Sequence, residues 1–417
     1  NWARRNRIIS MASHTRSYRR PRPSCLAEAH RWLPVRRTAA ILAAGAALAA
    51  LLGLLSSCAT YAPLPLPEAA DLAAGTSPPR AVVAPLNMTA VATLAVLNNP
   101  GLRSARATLH VAQAQAFAAG LLPDPQLSYS ADYAMDHVIS STDPRYPEYN
   151  AYGLGLTIDL RTLLTHASTH AAADAAYQQA RLDLLWQEWQ TVAQARSLYV
   201  QQAIAAGRLA FLAPAERTYA AAAARSQRAL AAGNVTLEQS SADLAVLQDV
   251  RTQLGTADRS RLQAEQALRA LLGVNPDVSI PIQPLAPPPI PARARVQAAV
   301  AQLAQRRPDL LALRAGYRAQ EERVRTAVLS QFPDISIGVT RARDVSDVHT
   351  TGFGITLTLP LFDRGRGEMA IQRATRAQLR TDYQARLDQA LGDVWQLWDE
   401  MKQLDGQLRV LDQQLPK

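Results

Sequence analysis

The sequence predicts a mainly α-helical protein with a membrane β-barrel contribution, made of long coiled-coil helical hairpins and four β-strands. Three observations predict it. Apolar residues recur at spacings of three and four over stretches longer than a compact domain needs. Four short segments alternate strictly between apolar and polar residues. The order helix, strand, strand, long helix occurs twice. At 417 residues, 48% hydrophobic and 19% charged, the chain is too apolar to be disordered and long enough for more than one folded unit.

The first 38 residues hold ten Arg against one acid, Glu28, and an uncharged Ala- and Leu-rich run follows from Thr38 to Ser57. It ends in Leu55, Ser56, Ser57 and Cys58. This basic, apolar and small-residue order is that of a secretory signal over residues 1–57. The tetrad L-S-S-C is similar to the lipobox of bacterial lipoproteins, in which a peptidase cuts before a cysteine whose thiol receives diacylglycerol. Cys58 is therefore the expected lipidation site, and 58–85 the lipidated N-terminal segment. The competing reading is a transmembrane anchor, because about 19 apolar residues approach the length of a bilayer span. The chain opens on Asn1, so a start upstream or at Met11 is compatible with the sequence.

Only Cys25 and Cys58 occur, so cleavage before Cys58 leaves no internal disulfide and no thiolate metal cluster. The net charge of +10 sits almost wholly in the leader, since 34 basic and 33 acidic residues remain from Cys58 onward. That near-balance removes the electrostatic case for a nucleic-acid partner.

In the duplication, N-P-G-L-R-S-A-R-A from Asn99 returns as R-P-D-L-L-A-L-R-A from Arg307, each leading to a Pro-Asp pair, Pro123-Asp124 and Pro333-Asp334. Y-G-L-G-L-T-I-D-L from Tyr152 returns as T-G-F-G-I-T-L-T-L from Thr351. These landmarks divide the chain into a first repeat at 86–280, a connector at 281–293 and a second repeat at 294–417. The connector carries six prolines between Pro281 and Arg293, which excludes helix interior and predicts extended chain.

Each predicted strand has two unlike faces. Leu127, Tyr129 and Tyr133 alternate with Ser128, Ser130 and Asp132; Leu154, Leu156 and Ile158 alternate with Gly155, Thr157 and Asp159. Ile335, Ile337 and Val339 alternate with Ser336, Gly338 and Thr340; Phe353, Ile355 and Leu357 alternate with Gly354, Thr356 and Thr358. A length of about ten residues suits a tilted membrane strand. The plainer alternative is four surface strands of a soluble sheet. Polar stretches from Asp136 to Asn150 and from Ala342 to Thr350 close the two hairpins.

The last helix carries Leu387, Ala390, Val394, Leu397, Met401, Leu404, Leu408, Leu411 and Leu415 as a seam. Its counterpart shows Leu182, Leu185, Trp189, Val192 and Tyr199, and Pro214 within it predicts a kink or break. From Thr165 to Ala232 such a helix would extend about 100 Å at 1.5 Å per residue. Gly233 supplies a C-cap conformation, and Thr236 can cap a returning helix that carries Leu244, Leu247, Leu254, Leu268 and Leu271 and ends at Gly273.

The lipobox, the duplicated unit, the N-P-G-L and R-P-D-L openings, and P-L-F-D-R-G-R-G from Pro360 together resemble the outer-membrane efflux factors, the TolC-like family, over nearly all of the mature chain. The resemblance implies a homotrimer, a trimeric α/β barrel in which each chain gives four strands to a shared twelve-stranded barrel above a periplasmic helical tunnel. Four strands alone leave unpaired edges that lipid does not tolerate, which agrees with closure by oligomerisation. In such a barrel Ser128, Ser130, Asp132, Thr157, Asp159, Ser336, Thr340, Thr356 and Thr358 face the lumen. Leu127, Tyr129, Tyr133, Leu154, Leu156, Ile158, Ile335, Ile337, Val339, Phe353, Ile355 and Leu357 face lipid.

The family further implies a passive exit duct of a tripartite efflux system, carrying small molecules or metal ions from periplasm to exterior, with no catalysis and no cofactor. Its partners are a periplasmic adaptor, docking at the tip formed by Gly233, Asn234, Val235 and Thr236, and an inner-membrane pump of the RND type. By the repeat arithmetic, roughly 55 residues of the second copy are expected beyond Lys417. The rival from another class is a periplasmic lipoprotein adaptor or coiled-coil scaffold without a channel.

No Gly-rich phosphate loop, nucleophile elbow or zinc-protease motif is present. His166 and His170 share a helix face at a spacing that can chelate a metal, but H-A-S-T-H lacks a Glu and no third ligand is evident, so they read as polar residues at a strand-to-helix junction. Trp186, Trp189, Trp395 and Trp398 on the long helices read as packing residues.

Overall fold

The computed structural model describes residues 61–68, 85–133, 150–285 and 288–414. Cys58 and the signal segment lie outside these residues, as does most of the first hairpin loop. Residues 61–68 form part of a separate unit and have no regular secondary structure.

The main unit follows the order α1 (Met88–Asn98), α2 (Pro100–Gly120), β1 (Gln126–Asp132), β2 (Ala151–Asp159), α3 (Leu160–Ala231), α4 (Leu237–Leu272), α5 (Arg293–Val300), α6 (Leu303–Arg306), α7 (Pro308–Leu329), β3 (Asp334–Arg343), β4 (His349–Thr358) and α8 (Arg366–Gln414). The chain is mainly helical with one antiparallel four-stranded sheet, ordered β1-β2-β3-β4. No described helix is long and apolar enough to cross a membrane.

Local chemistry sets most boundaries. Asn87 accepts the Ala90 N–H at 2.8 Å and opens α1. Asn99 accepts the Leu102 N–H at 2.9 Å, and Pro100 occupies the first turn of α2, where a missing N–H costs nothing. The N-P-G-L motif is thus a helix start. Its second copy, R-P-D-L, also places Pro308 in a first turn but without a side-chain cap. Asp159 accepts the Arg161 N–H at 2.9 Å, so α3 begins directly at the end of β2, five residues ahead of Thr165.

The 72 residues of α3 span roughly 110 Å, and the helix runs through Pro214 without a break. Pro214 costs one backbone hydrogen bond, but α4 packs along this part of α3 and makes extension the better outcome. At the far end Gly233 adopts φ 72°, and the Asn234 N–H reaches back to the Ala229 carbonyl at 2.8 Å. Thr236 and Gln239 then form a reciprocal capping box for α4. Gly273 closes α4 with φ 61°, and a Cβ there would lie 2.9 Å from the Asn98 carbonyl oxygen.

The principal core joins α1, α3 and α4 through Val91, Ala95, Ala195, Leu198, Tyr199, Leu268 and Leu272. The connector is tied to it: Tyr199 donates its hydroxyl to the Gln283 carbonyl at 2.7 Å, and Leu86 bridges to Ile282. Leu268 is fully buried, so Leu268→Ala should cost about 2–5 kcal/mol, measured as a lower thermal midpoint. Leu262→Ala, at a half-exposed position of the same helix, should change it by about 0.5 kcal/mol or less.

α7 packs against both α3 and α8. Its small residues Ala312, Ala315, Gly316 and Ala319 permit the close approach, since a Cβ at Gly316 would meet Gln179 of α3 at 2.7 Å. Buried Gln320 is satisfied by Gln372 of α8, through its carbonyl at 3.0 Å and its side-chain oxygen at 2.5 Å.

Candidate functional site

The sheet sits at one end of the long helices, because β2 runs straight into α3 and β4 is followed by α8. Register sorts its side chains into two faces. Across the polar face Ser128 pairs with Gly155, Gly155 with Thr340, and Thr340 with Gly352; the next row runs Gln126, Thr157, Gly338, Gly354. Hydroxyls on one strand thus oppose glycines on the next. A Cβ at Gly155 would stand 2.6 Å from the Ser128 Oγ. At Gly338 it would stand 2.9 Å from the Leu156 carbonyl oxygen, a backbone atom that cannot turn aside. Gly338→Ala should therefore destabilise the sheet by about 1–3 kcal/mol, whereas Gly354→Ala, with no atom within 4 Å, should be near neutral; heat-modifiable gel mobility and denaturant midpoint distinguish them.

The opposite face carries Leu127, Leu154, Leu156, Ile158, Ile335, Ile337, Val339, Phe353, Ile355 and Leu357 on successive rows. Tyr129 and Phe353 are about 70% exposed, far more than a soluble sheet tolerates over a contiguous apolar face. The exposed band continues to the turns between helices and strands through Leu121, Leu122, Leu361 and Phe362. Tyr133 lies one residue past the end of β1.

At these turns several polar residues serve the fold. Asp159 caps α3 and accepts the Thr162 hydroxyl at 2.5 Å, while Arg161 pairs with Asp334 at 3.0 Å, joining the first turn of α3 to β3. His166 Nε2 lies 3.2 Å and 3.1 Å from the Gly120 and Leu121 carbonyls, and His170 stacks on it with ring centroids 6.3 Å apart. The histidines close the end of α2. Among the described residues no group of three or more His, Cys, Asp or Glu could hold a metal ion.

Midway along the helices lies a cluster that sequence reading missed. Asp309, whose side chain is 9% exposed, accepts from Arg307 at 2.9 Å and from Arg386 at 2.7 Å. Both guanidiniums lie over the Trp186 ring, at 5.0 Å and 5.7 Å from its centroid. One carboxylate thus ties α7, α8 and α3 together. The visible signal was R-P-D-L itself, whose Asp replaces the Gly of N-P-G-L. Trp398 donates to the Pro291 carbonyl at 3.0 Å, and Arg293 covers both Trp395 and Trp398, which fastens the connector to α8. Trp189 by contrast is largely exposed.

Two helical groups titrate away from their usual ranges. A hydrogen bond to Glu321 raises the Tyr317 phenol, and burial raises the Asp183 carboxyl.

At the distal tip Gly233, Asn234 and Thr236 are exposed, Val235 is half-buried, and the neighbouring Leu237 stands 72% exposed.

A family model described as outer membrane efflux protein matches residues 91–274 and 299–417. No curated protein matches the sequence. Among solved structures, the fold is similar to that of a membrane protein from Pseudomonas aeruginosa, with TM-score 0.64 and 21% identity over 85% of this chain and 86% of that one. It is similar to the outer membrane protein VceC of Vibrio cholerae, with TM-score 0.62 and 20% identity over 78% and 81%. The open state of the MtrE outer membrane channel of Neisseria gonorrhoeae gives TM-score 0.58 and 18% identity over 78% and 76%.

Proposed function

The chain belongs to the outer membrane efflux protein family, and from that membership we propose how its own residues build the duct. It is an outer-membrane channel of tripartite efflux systems, and the family is one of channels rather than enzymes. The adaptor or scaffold reading gives way to this.

The observation that carries the residue-level proposal is the sheet: four strands with two unlike faces and free edges at β1 and β4. A free edge inside lipid leaves a row of backbone groups unsatisfied, so β4 of one copy pairs with β1 of the next and three copies close the barrel. The hydroxyl and glycine face, with Ser128, Ser130, Asp132, Thr157, Ser336, Thr340, Thr356 and Thr358, lines the lumen. Asp159 lies at the lower end of that wall and serves also as a helix cap. The apolar face meets lipid; β3 and β4, of ten residues each, at about 3.4 Å per residue and tilted by about 40° match a hydrocarbon band of about 25 Å.

The division into a signal at 1–57, a lipidated segment at 58–85, repeats at 86–280 and 294–417 and a connector at 281–293 belongs to the same proposal. Cys58 carries the lipid anchor. Gly233 to Thr236 with Leu237 form the docking tip for a periplasmic adaptor, which links the duct to an inner-membrane pump of the RND type.

Detergent extraction of outer membranes followed by crosslinking tests the assembly. A trimer that raises the conductance of a planar bilayer supports it, and a peripheral monomer refutes it. Incorporation of radiolabelled palmitate that disappears in Cys58→Ser tests the anchor.

A further inference from the structure

The end of the sheet far from the helices carries a cluster of charged side chains. Chain order fixes which end this is: Asp159 and Asp334 adjoin helices, so Arg343 and His349 lie at the opposite edge. On the apolar face Val339 is followed by Arg341 and then Arg343, with Arg341 opposite Leu154 and Arg343 between Tyr152 and His349. The apolar band therefore ends in two guanidiniums one pleat apart, about 7 Å along the strand. Asp347, in the turn at φ 64°, holds Arg343 at 2.6 Å and lies 3.8 Å from the His349 Nε2. Arg341 is exposed and meets no carboxylate among the described residues.

We propose that this rim binds the phosphates of lipopolysaccharide, the phosphorylated glycolipid of the outer leaflet, with Arg341 as the direct contact and the Arg343–Asp347 pair setting the geometry beside it. The proposal rests on the outward assignment of the apolar face. A cation at the midplane of that face would be costly, but at its edge the cost nearly vanishes, and the long Arg stem can lie along Val339 while its head reaches the polar zone. Guanidinium matches a phosphate bidentately, which a point charge does not. Tyr152, in the same row as Arg343, is the residue type that favours a membrane interface. A zwitterionic phospholipid offers a phosphate already compensated by its own amine, so the complementarity favours the multiply anionic glycolipid.

The test uses the full chain in detergent, titrated with purified lipopolysaccharide, with thermal midpoint and bound-lipid number by native mass spectrometry as readouts. Lipopolysaccharide should raise the midpoint of the wild type, and that of Arg341→Lys by less, since an ammonium keeps the charge and loses the bidentate fit. Arg341→Glu should bind about tenfold more weakly, the loss of one charge-assisted contact, and enzymatically dephosphorylated glycolipid should bind the wild type equally weakly. Unchanged binding by Arg341→Glu or by the dephosphorylated glycolipid overturns the proposal, as does equal binding of phosphatidylethanolamine. Failure of the outward-face assignment has its own signature, in which Thr157→Arg rather than Leu156→Arg blocks membrane insertion, and that result overturns both.

Discussion

Leu156→Arg should nearly abolish assembly in the outer membrane, while Thr157→Arg, one residue along the same strand, should leave most of it intact. Leu156 lies between Leu127 and Val339 in the register, with Phe353 completing the row, so the new guanidinium would enter the middle of the apolar band. The cost near the bilayer midplane is about 2–4 kcal/mol per copy, and a closed trimer incurs it three times. Thr157 points to the other face, beside Gly338 and in the row of Gly354, where the proposed barrel would give a longer side chain room in its lumen. The measurement is the fraction of chain recovered as membrane-embedded, heat-modifiable oligomer. Equal loss in both variants would sink the two-faced sheet as a membrane wall.

Asp309→Ala should cost about 3 kcal/mol of stability, the lower end of the range for breaking a buried ion pair, because the Arg386 side chain retains 27% exposure. The loss does not come from the missing attraction alone. It leaves Arg307 and Arg386 over the same tryptophan without a counter-charge. Arg386→Ala removes one of the two guanidinium donors to the carboxylate, so the smaller of the two losses is expected there, with Arg307 and the Leu310 N–H still bound. Replacing Asp309 and Arg386 together should cost less than the two single changes added, since they share one network. Denaturant midpoints of the four forms complete the cycle, and strict additivity would show that the carboxylate does not join the helices.

What could be read in the sequence was whatever is governed by near neighbours. The alternation of Leu154, Leu156 and Ile158 with small or polar residues follows from the strand period, and the sheet has that register. Thr236 and Gln239, three residues apart, form their capping box from local chemistry alone, and Gly273 takes the left-handed conformation that ends a helix. Pro214 went the other way. Taken locally it predicts a kink or a break, and the packing of α4 alongside favours the unbroken helix that is found. The Asp309 clamp was equally hidden: Arg386 lies 77 residues away in sequence and Trp186 more than a hundred. His166 read only as a polar residue at the strand-to-helix junction because its partners, two backbone carbonyls at the end of α2, lie 45 and 46 residues away.

In the proposed barrel, the glycine rows of the sheet set how a solute would travel past it. Opposite the hydroxyls of Ser128, Ser130, Thr157 and Thr340 the wall is bare backbone at Gly155, Gly153, Gly338 and Gly352. Such a surface holds a film of water and offers a passing molecule neither a hydrocarbon ledge nor an aromatic shelf to rest on. Residence time inside the barrel should therefore be short and nearly indifferent to the shape of the cargo. Flux through the wall scales with how fast material is delivered from below, and a barrel of this kind saturates late, if at all.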